Sequence, residues 1–370
     1  MLRRIISACA VFVFSTVAYA GEGRFEIAQF MLPYTVSNAG SYVVTENLTG
    51  TNGQNGIIIA ANDVTIDLNG FQLIGVAGSL DGVAASGNRS NIQILNGMVR
   101  GWGDDGVDLN SASNVSVRDV MASLNTDDGI RVGDGSSVRD CTLVENSGAG
   151  LRAGEACSIQ RVIARQNGGG GIVSSNACVI THCIARSNNG NGIWTGLGST
   201  IVASTARGND NVGIGGGKGT QISECVGYGN DVGIQIYDTG GQVVNSATYG
   251  NTDYGIQVTG AGSITFCAAS ANGLAGFVAG SNSYVFGNNA YENGTNSGST
   301  GFLLTGTGNR LEQNHAGNAT SGFTATTTNN LIVRNTATGH ATNYAIAAGN
   351  LTGTITTNVA TSNAWVNFSF

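Results

Sequence analysis

Proline and lysine are nearly missing: Pro33 and Lys218 are the only ones in 370 residues. Charged residues of all kinds make up 11%. Asn, Thr, Ser and Gly therefore do the solvating, as in many exported β-rich proteins. No Gly-X-Y triplet runs through the 58 glycines, which excludes collagen, and 41% apolar residues in strict periodicity argue against disorder. No Cys-x-x-Cys or Cys/His pairing occurs, which disfavours zinc. After the first 20 residues no stretch is apolar enough to span a bilayer, and none shows a 3.6-residue period. The net charge of −7 disfavours nucleic acid as a partner.

What is abundant is repetition. Asn125, Asn146, Asn167, Asn188, Asn209, Asn230, Asn251, Asn272, Asn293, Asn314 and Asn335 follow one another at steps of 21 residues. A repeat of this length marks a solenoid. An Asn returning once per repeat suits a tight turn, since its amide tolerates left-handed dihedrals, and stacked amides can satisfy one another along the axis. After each Asn comes a short turn ending in Gly and an aliphatic residue, as in Gly129-Ile130, Gly150-Leu151 and Gly171-Ile172. Ile130 and Val132 alternate as a half-buried strand requires. A second file, Val138, Ile159, Ile180, Ile201, Ile222, Val243 and Ile264, opens the next strand. Each repeat thus holds about three very short strands. The expected fold is all-β, a single-stranded right-handed parallel β-helix, with handedness from the rule for parallel crossovers. Roughly fourteen coils at about 4.8 Å make a rod near 65–70 Å long.

The start reads as an export signal, residues 1–20: Arg3 and Arg4, an apolar run, and Ala18-Tyr19-Ala20 as cleavage site. Cleavage takes the charge from −7 to −9, 14 basic minus 23 acidic residues. The product is expected in the periplasm or outside the cell. Residues 21–55 read as an N-terminal cap, 56–349 as the β-helix, and 350–370, with Trp365, Phe368 and Phe370, as an apolar C-terminal plug. Such covers are needed because a solenoid ends in open sheet edges. The longest insertion, Gly294 to Thr300, should bulge from a turn. Cys141, Cys183, Cys225 and Cys267 recur every second repeat, too far apart for disulfides. Cys157 and Cys178, one repeat apart, can approach each other, but free stacked thiols are the expectation for all six.

Val64-Thr-Ile-Asp-Leu-Asn-Gly-Phe71, the repeated Asn-x-x-x-Gly-Ile units and the Trp365-Val-Asn-Phe368 ending resemble the exported bacterial right-handed β-helix proteins of the pectin lyase-like superfamily. The resemblance covers nearly all of the chain after residue 20. It implies the fold, and a function among lyases, polygalacturonases, epimerases, tailspikes and non-catalytic members. Asn125-Thr126-Asp127-Asp128 superficially resembles the acidic motifs of polygalacturonases. Their Gly-His-Gly and Arg-x-Lys motifs are absent, and His182, His315 and His340 sit in unrelated contexts. No Lys/Arg pair of the alginate or chondroitin lyase type stands out.

Two candidate sites follow from counting along the coil. Outward positions of the first strand run Asp108, Arg131, Arg152, Val173, Trp194, on the sheet whose outer face often bears the sugar groove in this superfamily. Beside them, Asp104, Asp105, Asp127 and Asp128 form an acidic patch with the donor chemistry of a calcium site. Asp105, Asp108, Asp128, Arg131 and Arg152 are the catalytic candidates, for β-elimination with calcium and Arg or for hydrolysis by paired carboxylates. The plainer reading is solvated turn residues, with Asp108 and Arg131 as a surface ion pair. The second site is an outward stripe, Arg165, Arg186, Arg207, Tyr228, Tyr249. Three stacked guanidiniums repel one another unless something anionic lies against them, and the tyrosines extend the stripe as flat faces for sugar rings. With Trp194 these are the substrate-binding candidates. The plainer reading is a surface of long side chains covering the sheet.

The preferred function is binding of an extended, anionic polysaccharide without catalysis, by a monomer or weakly self-associating chain. The alternatives are a polysaccharide lyase or glycoside hydrolase on the first sheet's outer face, and a purely structural surface or adhesion rod.

Overall fold

A typical winding of the chain is three strands of three to five residues, separated by short turns. One coil runs Ile130–Val132, Ser137–Arg139 and Thr142–Val144; the next runs Leu151–Ala153, Ser158–Gln160 and Ile163–Arg165. The second coil lies on the first in parallel register, Ile130 against Leu151, Val138 against Ile159 and Leu143 against Ala164. The molecule, a computed structural model, is described over residues 23–294, 299–358 and 363–370. The expected leader, residues 1–20, and residues 295–298 of the long insertion lie outside the described residues.

Among these residues the first strands stack into a fifteen-stranded parallel sheet, from Tyr34–Val36 to Thr342–Ile346. The second and third strands of every coil make one continuous sheet around a corner. Ser90–Arg100 and Ser113–Ser123, eleven residues each, run unbroken through that corner and join its two faces. The segment 21–55 supplies strands to the stack, with Tyr34–Val36 paired to Ile57–Ile59. The coils are thus about fifteen, one more than the spacing implied. No α-helix occurs among the described residues, and no helix is long and apolar enough to cross a membrane.

The pleat fixes what each face shows. In the first strand the outer two residues point inward and the middle one outward: Ile130 and Val132 are buried while Arg131 is half-buried. In the third strand the pattern inverts, so Ala164 is buried while Ile163 and Arg165 face solvent. The first face therefore offers one outward side chain per coil, and the third face offers two. The core is filled by files of like residues. Ile256 in the first-strand file is followed by Phe277, Phe302, Phe323 and Tyr344, whose rings stack at 4.8, 4.9 and 5.1 Å. The third-strand file is small (Ala164, Ala185, Ala206) because the glycine opening the next strand passes close by. A Cβ added to Gly171 would stand 3.0 Å from the Ala185 methyl.

The asparagines satisfy a corner of the core. The Asn167 side-chain amide donates to Asn188 Oδ1 at 2.9 Å, and the Asn167 backbone N–H donates to the same oxygen at 3.1 Å. The same pair of bonds repeats from Asn125 to Asn272, each residue almost wholly buried. Buried amides demand such partners. The left-handed dihedral expected of these asparagines belongs instead to the residue before: Leu124, Glu145, Gln166 and Ser187. The file ends at Asn293. Tyr291 pairs with Gly317, so the residue over Asn293 is Ala319, followed by His340, whose Nδ1 accepts the Ala319 N–H at 2.9 Å. Asn314 and Asn335 belong to another file, through Cys225, Ser246, Cys267, Asn288, Asn314, Asn335 and Asn367. The insertion makes that one coil 26 residues long, which moves the later asparagines to a different corner.

All six described cysteines are unbridged and buried. Burial pushes the Cys141 and Cys225 thiols up to about 12 and those of Cys183 and Cys267 up to about 11, so they remain inert core side chains. At the C-terminal end Asn367–Ser369 pairs with Thr336–Thr338 and Ile355–Thr356. Of the aromatic residues expected as a plug, Phe368 is half-buried and pairs with Thr336, while the other two are exposed. Trp365 is 50% and Phe370 is 56% exposed, and Val366 and Asn367 are the residues buried there. The Arg334 guanidinium covers the Trp365 ring at 4.6 Å and pairs with Glu312, which is 4% exposed.

Candidate functional site

The acidic residues gather where the third strand of one coil turns into the first strand of the next. Asp105 and Asp128 are each 1% exposed. Asp105 Oδ1 accepts the Asp128 backbone N–H at 2.7 Å, and its Oδ2 faces Arg131 Nη1 at 3.2 Å. Asp128 Oδ1 accepts the Ala149 N–H, and its Oδ2 takes Arg152 Nε, with Arg131 Nε at 3.7 Å. Below them Asp81, which the 21-residue spacing does not find, accepts the Asp105 N–H at 3.1 Å. These carboxylates staple coil to coil as the asparagines do on their own corner.

Burial is the largest influence on all three. It pushes Asp105 up to about 7, reinforced by the Asp128 and Asp108 charges and only partly offset by the Asp128 N–H and Arg131. Asp81 rises to about 6, chiefly by burial, and Asp128 also rises by burial despite its bonds to Ala149 and Arg152. Burial alone would lower Arg131, but Asp105, Asp108 and Asp128 together raise it. Asp108 is the register neighbour of Arg131. The expected surface ion pair between them is not formed: Arg131 turns back to the buried acids, and Asp108 accepts the Asn110 N–H. A shallow groove of about 190 Å³ passes over Asn110, Arg131, Asp134 and Arg152.

Two triads bring one carboxylate oxygen each to within 4.8 Å of one another: Asp81, Asp104, Asp105, and Asp105, Asp127, Asp128. The four expected calcium ligands are thus split between two groups that share Asp105. The donor set fits a calcium ion poorly, because Arg131 and backbone N–H groups already hold the oxygens of Asp105 and Asp128.

Farther along the first face, Val173 and Trp194 follow Arg152 in register, then Gly215, Gln235 and Gln257. The indole lies against Gly215, where an added Cβ would stand 2.7 Å from Cζ3. Glycine there lets the ring lie down on the sheet.

The stripe on the third face is placed as the spacing predicted. Arg165, Arg186, Arg207, Tyr228 and Tyr249 are successive register partners. Among the described residues none of the three arginines lies within ion-pair distance of a carboxylate, unlike Arg131 and Arg152; Arg165 bonds only the neutral Gln166 amide, at 2.6 Å. Arg207 lies over the Tyr228 ring at 5.4 Å, and Tyr228 stacks on Tyr249 at 5.2 Å with planes 18° apart. A neighbouring row went unnoticed in the sequence although the same count finds it. Two residues before each of these side chains, on the same face, stand Ile163, Ile184, Thr205, Val226 and Ala247.

A family model described as a right handed beta helix region matches residues 35–211. Among solved structures the chain is similar to the Azotobacter vinelandii mannuronan C-5 epimerase AlgE6 A-module, at 16% identity and TM-score 0.58, covering 90% of this chain and 91% of that one. It is also similar to the tailspike protein of E. coli bacteriophage HK620 in complex with a pentasaccharide, at 9% identity and TM-score 0.51, covering 90% and 72%. At these identities the likeness is one of fold. No curated protein sequence matches the chain.

Proposed function

We propose that this right-handed parallel β-helix protein, of the pectin lyase-like kind, binds an extended anionic polysaccharide along its third face, over Arg165, Arg186, Arg207, Tyr228 and Tyr249. The observation that carries the reading is the contrast between the two arginine groups. Arg131 and Arg152 are neutralised by buried acids. The three stripe arginines stand one coil apart in register, and none of them lies within ion-pair distance of a carboxylate among the described residues. Like charges at about 4.8 Å spacing repel, and a polymer carrying one carboxylate per sugar along the rod axis relieves that repulsion. Stacked Tyr228 and Tyr249 continue the track with ring faces, which suit the apolar faces of sugars. The fold neighbours point the same way in kind, one an epimerase of mannuronan and the other a tailspike holding a pentasaccharide. The leader-like sequence of residues 1–20 supports a site of action outside the cytoplasm.

Catalysis at the acidic corner has less behind it. A general acid or base needs an oxygen within reach of substrate, and both oxygens of Asp105 and of Asp128 are turned inward and engaged. Affinity electrophoresis through gels containing polymannuronate or a neutral glucan tests the reading. Retardation is expected in the acidic gel alone, and weakened by Arg186→Gln. Equal migration in both gels would contradict it.

A further inference from the structure

The third face carries a second row that the arginines alone do not explain. Ile163, Ile184, Thr205 and Val226 stand two residues before Arg165, Arg186, Arg207 and Tyr228. At a strand rise of about 3.3 Å per residue the two rows run about 6.6 Å apart. Ile163 is 39%, Ile184 43% and Val226 36% exposed. A solvent-facing sheet normally alternates apolar inward with polar outward. Here branched side chains point outward for four coils, aliphatic in three of them and a threonine, Thr205, in the other. The row stays branched opposite the arginines and Tyr228, then shrinks to Ala247 beside Tyr249 and Ala268 beside Ser270. Strand propensity favours branched residues anywhere on a sheet, but it does not require outward aliphatic ones beside a cation file, and the row runs past the last arginine by one coil only, to Val226 beside Tyr228. The two rows form one strip with a cationic edge and an apolar edge.

We infer that the polysaccharide bound here carries acyl esters, such as O-acetyl groups, as well as carboxylates; this rests on the anionic-polysaccharide reading above. A uronate ring lying across the strip would set its carboxylate against a guanidinium. The opposite edge of the ring then meets a row without a charged group, where bare hydroxyls gain little. An acetyl methyl on that edge is removed from water against Ile163, Ile184 or Val226, each burial favouring the ester form about fourfold. Ester groups also remove hydroxyls that would lose hydrogen bonds to water over an apolar surface. A lipid headgroup would satisfy the arginines too. The aliphatic row, however, repeats once per coil in register beside the arginine file, a periodic arrangement suited to a linear polymer.

The probes are polymannuronate, chemically O-acetylated, and the same batch returned to the free hydroxyl form with mild alkali. Binding of each to the full chain is measured by biolayer interferometry. The acetylated polymer should bind about tenfold tighter. A variant with Ile163→Ser, Ile184→Ser and Val226→Ser should bind both forms equally, at the level the unmodified chain shows for the deacetylated one. Because all three side chains are exposed, the variant's melting temperature should stay close to that of the unmodified chain, and the two-polymer comparison needs no variant at all. Equal affinity of the unmodified chain for both polymers would overturn the ester inference and leave the anionic reading standing. Binding to neither polymer, or preferential binding to phosphatidylglycerol vesicles, would overturn both.

Discussion

Arg131 lies directly over Asp108 in the first sheet, yet its guanidinium turns away and meets Asp105 Oδ2 at 3.2 Å. The acids of this corner act on stability first. Asp105, held up at about 7, and Asp81, at about 6, keep protons in the folded chain that the unfolded chain has already released above about pH 4. Where the folded state binds more protons, stability falls as pH rises. The contribution of these two groups is therefore full below about pH 4, declines between about pH 4 and pH 7, and is constant above. Melting temperatures of the unmodified chain and of Asp105→Asn, compared at pH 5 and pH 7.5, should show a smaller decline for the variant. Parallel curves would mean that Asp105 titrates normally.

Calcium should do little. A calcium ion at either carboxylate triad would have to compete with Arg131 for the oxygens of Asp105 and Asp128. Calcium or a chelator should leave the melting temperature of the unmodified chain within about 1 °C, since a ligand that does not bind the folded state does not stabilise it. Arg131→Gln should free Asp105 Oδ2 alone, since Arg152 and backbone N–H groups still hold the other oxygens, and so give at most a small rise in melting temperature with added calcium. A chelator-induced drop in the unmodified chain would show that the corner holds a metal with Arg131 in place.

The shift of register after the insertion can be read energetically. Asn288 donates its side-chain amide to Asn314 Oδ1 at 2.9 Å, and its backbone N–H bonds the same oxygen at 2.9 Å. Residues sharing hydrogen bonds couple, and independent sites add. A double-mutant cycle on Asn288→Ala and Asn314→Ala should give a coupling of about 1 kcal/mol or more. The cycle on Asn293→Ala and Asn314→Ala should be additive within about 0.5 kcal/mol. The reverse pattern would restore a single asparagine file.

That pair also marks where the sequence stops being legible. The 21-residue step located the coils, the three strands and both outward rows, because stacking in register turns a period into a direction. It misassigned Asn314 and Asn335 because two changes cancel. The insertion lengthens one coil from 21 to 26 residues, and the neighbouring corner, Asn288, lies five residues before Asn293. Asparagine therefore recurs at the same interval while changing corner. Asp81 was missed for a related reason: it lies 24 residues before Asp105, in coils longer than the later ones. Spacing placed Asp105 and Asp128 beside the arginines, but it says nothing about which way a carboxylate turns. Their inward direction follows from backbone N–H groups that only the stacked coils bring within reach.

The most direct test of the account is the salt dependence of binding to polymannuronate, for the unmodified chain and for a variant with Arg165, Arg186 and Arg207 all replaced by Gln. Exposed charges separated by more than about 8 Å are screened at physiological ionic strength, and contacts between them weaken as salt rises. The unmodified chain should lose affinity steeply with salt, and the variant should bind weakly with a nearly flat response. Unchanged affinity and unchanged salt response in the variant would place the polysaccharide elsewhere or nowhere on this protein.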